Sequence, residues 1–204
     1  SGAVIISVNY QKAPEHPFPI PFDDCYETLL WVIANAPTLG IDAEKIGVAG
    51  DSAGGNLASA VAIKARDNAI ALAFQILIYP CNDRNFDTES YQKNATGYGL
   101  STQAMQWFWD QYLQSDEHGS NPYAAPMQAQ TFKDLAPAII ITAQYDPLLS
   151  DGEQYASLLQ RDGVSVLYKA YEGMIHGFVT NMAITPSAQE AVDFLGYEVK
   201  KITQ

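Results

Sequence analysis

Lys45-Ile46-Gly47-Val48-Ala49-Gly50-Asp51-Ser52-Ala53-Gly54-Gly55-Asn56-Leu57-Ala58 is the stretch on which the reading of this 204-residue chain turns. Residues 45–49 carry apolar and β-branched side chains and read as a short buried strand. Residues 53–66 are rich in Ala and other small side chains and read as a helix. Between them, Gly50-Asp51-Ser52-Ala53-Gly54 fits the pattern G-x-S-x-G. The pattern alone is weak, because Gly and Ser are common enough that a chain of this size carries it by chance roughly one time in fifteen. Its setting selects it: a strand feeding a tight turn that opens a helix holds a serine with its hydroxyl exposed. Gly50 and Gly54 are expected to let strand and helix approach without side-chain collision. Gly55 and Asn56 would continue the turn, and Asp51 reads as a turn residue beside the serine. The Ala53 N–H, at the positive end of the helix, could donate to an oxyanion. A phosphate loop would require a lysine after the glycines, and a dinucleotide fold G-x-G-x-x-G; the chain has neither there.

Outward from this stretch, strand and helix signals alternate. Strands are expected at residues 3–8, 45–49, 74–79, 138–143 and 164–171. A proline-rich connection at 13–21 excludes regular structure. A helix capped by Asp23 should run through Trp31, Val32 and Ile33, with later helices at 104–113, 152–161 and 186–200. Residues 83–131 break the rhythm as a polar, aromatic insertion. Alternation of this kind specifies an α/β fold, a mostly parallel sheet with helices on both faces. Chemistry in such sheets gathers at the carboxyl ends of the strands. The last strand is expected at a sheet edge, where pairing with a second copy would give a homodimer.

A serine hydroxyl needs an adjacent base, and the base an orienting group. Of the three histidines, His16 lies in the proline-rich connection and His118 in the insertion. His176 follows the last expected strand, downstream of Ser52, and is the candidate base. Asp146, just after the strand at 138–143, is the candidate acid that would accept the Nδ1 proton. Asp151 competes with it but reads more naturally as a helix N-terminal charge.

Bulk properties exclude other classes. The chain carries 11 basic against 23 acidic residues, a net charge of -12, and no basic cluster. That disfavours nucleic acid and anionic membrane surfaces as partners. No apolar run is long enough for a membrane span. Cys25 and Cys81 lack disulfide-framework or metal-site spacing and read as reduced, partly buried thiols. With no leader pattern at the start, a cytoplasmic protein is the expectation.

These motifs resemble the hormone-sensitive-lipase-like branch of the α/β-hydrolase superfamily. Tyr10 to Pro19 (YQKAPEHPFP) is similar to that family's Y-R-L-A-P-E-H-x-F-P segment, and Gly50 to Ala58 (GDSAGGNLA) to its serine motif. Asp146-Pro147-Leu148 and His176-Gly177-Phe178 resemble its acid and histidine motifs. The resemblance implies one catalytic domain over 1–204, with 83–131 as part of a substrate-covering cap. It implies hydrolysis of small-molecule esters of short to medium acyl chains, through an acyl-enzyme on Ser52 and without cofactor or metal. Family members also carry an upstream H-G-G-G motif that supplies oxyanion donors. This sequence holds none, so an N-terminally truncated α/β hydrolase is expected. Two further readings fit the same residues: a catalytically impaired fragment, and a ligand-binding module on a hydrolase scaffold. A gap in place of the upstream segment would bury two rows of unpaired backbone groups, which leaves three explanations: the segment belongs to a fuller protein, the strand at 3–8 slides over to pair with the central strand, or a second copy supplies strands or covers the exposed edge.

Overall fold

The computed structural model describes all 204 residues. In chain order it contains helix α1 (Ile20–Ala34), the single turn α2 (Ala36–Leu39), strand β1 (Val48–Asp51) and helix α3 (Ala53–Asp67). Strand β2 (Gln75–Ile78) follows, then helices α4 (Glu89–Lys93) and α5 (Thr102–Tyr112) in the insertion. The chain closes with β3 (Ala138–Tyr145), α6 (Leu149–Arg161), β4 (Val166–Ile175) and α7 (Pro186–Thr203). The strands form one four-stranded parallel sheet in the order β1-β2-β3-β4. None of the helices is long and apolar enough to cross a membrane.

Side-chain alternation divides the sheet between two cores. Leu77 of β2 and Ala138 and Ile140 of β3 point to one face, against Ile63 of α3 and Tyr155 and Leu159 of α6. Ile76 of β2 and Ile139, Ile141 and Ala143 of β3 point to the other, against Ala188, Ala191, Leu195 and Val199 of α7. A third cluster lies beyond α3, where Phe22 and Leu29 of α1 meet Met105 and Trp109 of α5. The helices therefore cover both faces, the architecture expected of a parallel sheet whose strands are apolar on both sides. Both cysteines are free.

Several boundaries depart from the sequence reading. Residues 3–8 form no strand: Val4, Ile5 and Ile6 are 66%, 87% and 39% exposed. Their apolar, β-branched character suits a buried strand, but β1 is the end of the ladder and no strand lies beside it for them to reach. A three-ten turn (Ala43–Lys45) occupies the start of the expected strand at 45–49, so β1 begins later and takes in Asp51. Helix α1 starts at Ile20, with Pro21 at its start, and Asp23 sits in its first turn rather than at the cap; proline's fixed φ suits that position. Helix α6 likewise begins at Leu149, three residues earlier than expected.

Candidate active site

The carboxyl ends of β1, β3 and β4 bring Ser52, Asp146 and His176 together. Ser52 joins β1 directly to α3, with φ 54° and ψ −119°. A non-glycine residue there costs of order 1–3 kcal/mol and persists only where its surroundings enforce it. The enforcement is visible. The Ser52 N–H donates to Ile78 O at 2.9 Å, and Ser52 O accepts from Asn56 N at 3.1 Å. A Cβ at Gly50 would lie 2.0 Å from Gly54 O, so only glycine allows the strand to pass under the helix start. Gly54 itself faces open space; the collision involves its backbone, and the expectation that it too must lack a side chain is corrected. Gly55 and Asn56 belong to α3 rather than to the turn. The Asn56 side chain is buried and donates to Cys81 O and Ala124 O at 2.8 and 2.9 Å, tying the helix to the insertion. Ala53 is the first residue of α3, and N–H groups of a first helical turn have no intrahelical acceptor.

His176 follows β4, and Gly177 after it takes the left-handed conformation, φ 79°, that turns the chain back into the fold. The His176 Nε2 lies 2.8 Å from Ser52 Oγ, and Nδ1 lies 2.6 Å from Asp146 Oδ2. The Asp146 side chain is 0% exposed and that of His176 13%. With the proton on Nδ1, the imidazole donates to the carboxylate and presents a lone pair to the serine hydroxyl. Tyr79 packs against the imidazole, the two rings tilted by 56° with their centroids 4.6 Å apart. Burial, and then the nearby carboxylates of Asp51 and Asp146, push the Tyr79 phenol above its ordinary range, so it stays neutral.

Asp146 sits in a turn held by hydrogen bonds. Its Oδ1 accepts from Leu148 N at 2.9 Å, and its carbonyl accepts from Leu149 N at 3.1 Å and from Asn94 Nδ2 at 3.0 Å. Asp151, the competitor, does not reach the imidazole. It is not a solvated N-terminal charge either: it is 1% exposed, and its Oδ2 accepts the N–H groups of Asn82 and Asp83 at 3.2 and 3.4 Å. Desolvation raises its pKa well above the ordinary carboxylate range. Tyr79, Ser90 and Asn94 were not singled out in the sequence. The two polar residues fall in an insertion without periodic signal, and Tyr79 reads as the last residue of a strand.

His16 and His118 lie elsewhere. The His118 ring packs edge-on against Phe18, centroids 5.2 Å apart, beside a surface cleft that also borders Lys64 and Tyr123. No group of three or more His, Cys, Asp or Glu side chains is arranged to hold a metal ion.

Comparison with known proteins bears on the fold and the family. The sequence model of a family described as the alpha/beta hydrolase fold matches residues 1–180. Carboxylesterase NlhH of Mycobacterium tuberculosis is 39% identical over 193 residues, which make up 93% of this chain and 60% of that protein. Ethyl acetate hydrolase of Pseudomonas putida is 34% identical over 194 residues, 94% of this chain and 61% of that one. The chain thus spans about three fifths of the length of these relatives. A solved esterase of Pyrobaculum calidifontis superposes with a TM-score of 0.95 at 42% identity, covering 99% of this chain and 67% of its own. A strand-to-helix turn at Ser52 on a parallel sheet, a family match over most of the chain, and esterases among its relatives together place this chain in the α/β-hydrolase fold family, within its hormone-sensitive-lipase-like branch.

Proposed function

We propose that this chain carries the catalytic machinery of a serine carboxylesterase acting on short- to medium-chain acyl esters, with Ser52, His176 and Asp146 as its triad. The observation that carries the reading is the unbroken relay from Ser52 Oγ to His176 Nε2 and from His176 Nδ1 to the buried Asp146 carboxylate. Ser52 Oγ attacks the ester carbonyl as His176 takes its proton. The imidazolium so formed is stabilised by Asp146, which orients the ring and keeps its negative charge. The Ala53 N–H, at the positive end of α3, donates to the tetrahedral oxyanion. His176 then protonates the leaving alcohol, and water repeats the sequence to release the acid and restore Ser52. Residues 83–131 act as part of the cover over the bound ester.

The test is hydrolysis of p-nitrophenyl butyrate by the chain and by Ser52→Ala, with a fluorophosphonate probe to report acylation. Turnover and labelling should both depend on Ser52, with the variant losing about 10⁴- to 10⁶-fold in kcat. Labelling or turnover retained by Ser52→Ala overturns the assignment. Failure of the folded wild-type chain to turn over or to label overturns the proposal that this chain is a working esterase.

A further inference from the structure

Helix α4 lies in the insertion, outside the sheet, and none of its side chains reaches Ser52 or the His176 ring through a hydrogen bond. Ser90 in the helix and Asn94 at its C-cap, both buried and polar, nevertheless hydrogen-bond to the turn that carries Asp146. Asn94 is 7% exposed, and its Nδ2 donates to Asp146 O at 3.0 Å and to Gln144 O at 3.3 Å. Ser90 is 4% exposed; its Oγ donates to Pro147 O at 2.5 Å and accepts from Ser150 N at 3.0 Å. Its own N–H donates to Ser150 Oγ at 3.3 Å. Four consecutive backbone units around the acid, from Gln144 to Pro147, therefore have carbonyls at 144, 146 and 147 bound by a helix remote in sequence.

The turn needs outside support because of where it sits. It leaves the end of β3 at a register irregularity between Ala143 and Tyr145, so the ladder with β4 does not run evenly into it. Asp146, Pro147 and Leu148 are buried, while Gln144 and Tyr145 before them are exposed; a buried carbonyl such as that of Pro147, left without its donor, would cost more than the bond itself contributes. Helix α4 is anchored in turn to α5: Thr102 Oγ1 donates to Tyr91 O at 2.6 Å, and Thr102 N to Ala95 O at 3.1 Å.

We infer that Ser90 and Asn94 are positioning residues, a clamp through which the insertion fixes the carboxylate of Asp146 against His176. The inference rests on the esterase reading, since it concerns how the proposed acid is held. It assigns a second task to the insertion: the part of the chain proposed to cover the substrate also sets the geometry of the relay.

The test uses Ser90→Ala, which removes one hydroxyl and little volume, and Asn94→Leu, which keeps the bulk and removes the donor. Two readouts separate positioning from simple stabilisation. The first is the split between kcat and KM for p-nitrophenyl butyrate. The second is the far-downfield proton resonance of the hydrogen bond between His176 Nδ1 and Asp146. It is seen by NMR whether or not the chain turns over. A reacting group displaced by about 1 Å costs up to about 10²-fold. Each variant should therefore lose about 10- to 100-fold in kcat with KM within about twofold of wild type, and its downfield resonance should shift upfield or vanish. A lower melting temperature with kcat and the resonance unchanged would overturn the clamp. If Asn94→Leu does not fold, Ser90→Ala decides by the same two readouts. Ser52→Ala separates the two claims: it should abolish turnover yet keep the resonance, and turnover retained there sinks the esterase reading and not the clamp.

Discussion

Two turns at the same end of the sheet are built on opposite principles. The turn after β1 is held by backbone bonds of Ser52 and by excluded volume, with no side-chain donor: Ser52 sits at positive φ, and Gly50 is fixed by a backbone oxygen that leaves no room for a Cβ. No side chain caps the helix that follows. The turn after β3 is held by donated hydrogen bonds, from Leu148, Leu149, Asn94 and Ser90, to a stretch with ordinary backbone angles. The serine turn should therefore fail when atoms are added to it, and the acid turn when donors are removed. A nucleophile must project from the backbone at a fixed angle, which sterics enforce well. A buried carboxylate must be aimed at a partner on another strand, which calls for several directional contacts.

The sharpest way to break this contrast is at the acid itself. Asp146→Asn keeps the shape of the turn but cannot hold the Nδ1–H tautomer in place, and kcat should fall about 10⁴-fold with the fold intact by circular dichroism. A loss under about tenfold would mean that the acid turn does not orient His176 at all. Next come the two glycines of the serine turn. Gly50→Ala should destabilise by about 1–3 kcal/mol or more, since a backbone atom must move. Gly54→Ala, at the start of α3 and facing open space, should be neutral or gain up to about 1 kcal/mol. Equal melting temperatures for the two variants would remove the excluded-volume argument.

The smallest effect concerns Asp151. Burial raises its pKa in the folded chain, so the folded form binds that proton more tightly than the unfolded form from about pH 4 upward. The stability it contributes is complete below the unfolded value and is lost as pH rises through the folded one. The melting temperature of Asp151→Asn relative to wild type should therefore climb as pH rises above the ordinary carboxylate range of about 4. A difference that stays constant over that rise would mean that Asp151 ionises at its ordinary value.

Much of this architecture is legible in the residues themselves. The alternation of apolar strands with helices specifies a parallel sheet, and the order Ser52, Asp146, His176 together with their strand-end positions names three residues that the structure brings into contact. What escapes the sequence depends on tertiary partners. Residues 3–8 have the composition of a strand, but a strand exists only through its neighbour, and composition does not report whether one is present. Asp151 reads as a helix N-terminal charge because helix position is local, whereas the backbone N–H groups it accepts from, those of Asn82 and Asp83, belong to another loop. Ser90 and Asn94 are common polar residues in a polar segment, and only the packing of α4 on α6 shows which way they face.

The exposed run from Val4 to Ile6 and the outer side of β1 together have a colloidal consequence. The run is uncharged and has high β-propensity, and Asp51 is the one charged residue of β1; once that carboxylate is neutral, this is the kind of surface on which another strand can add. At neutral pH the net charge of -12 holds copies of the chain apart. As acid neutralises the carboxylates toward about pH 4, that repulsion fades while the sticky edge persists. Acidification should thus make the chain self-associate before it unfolds, and the assemblies should show the 4.7–4.8 Å repeat of stacked strands, roughly, in fibre diffraction.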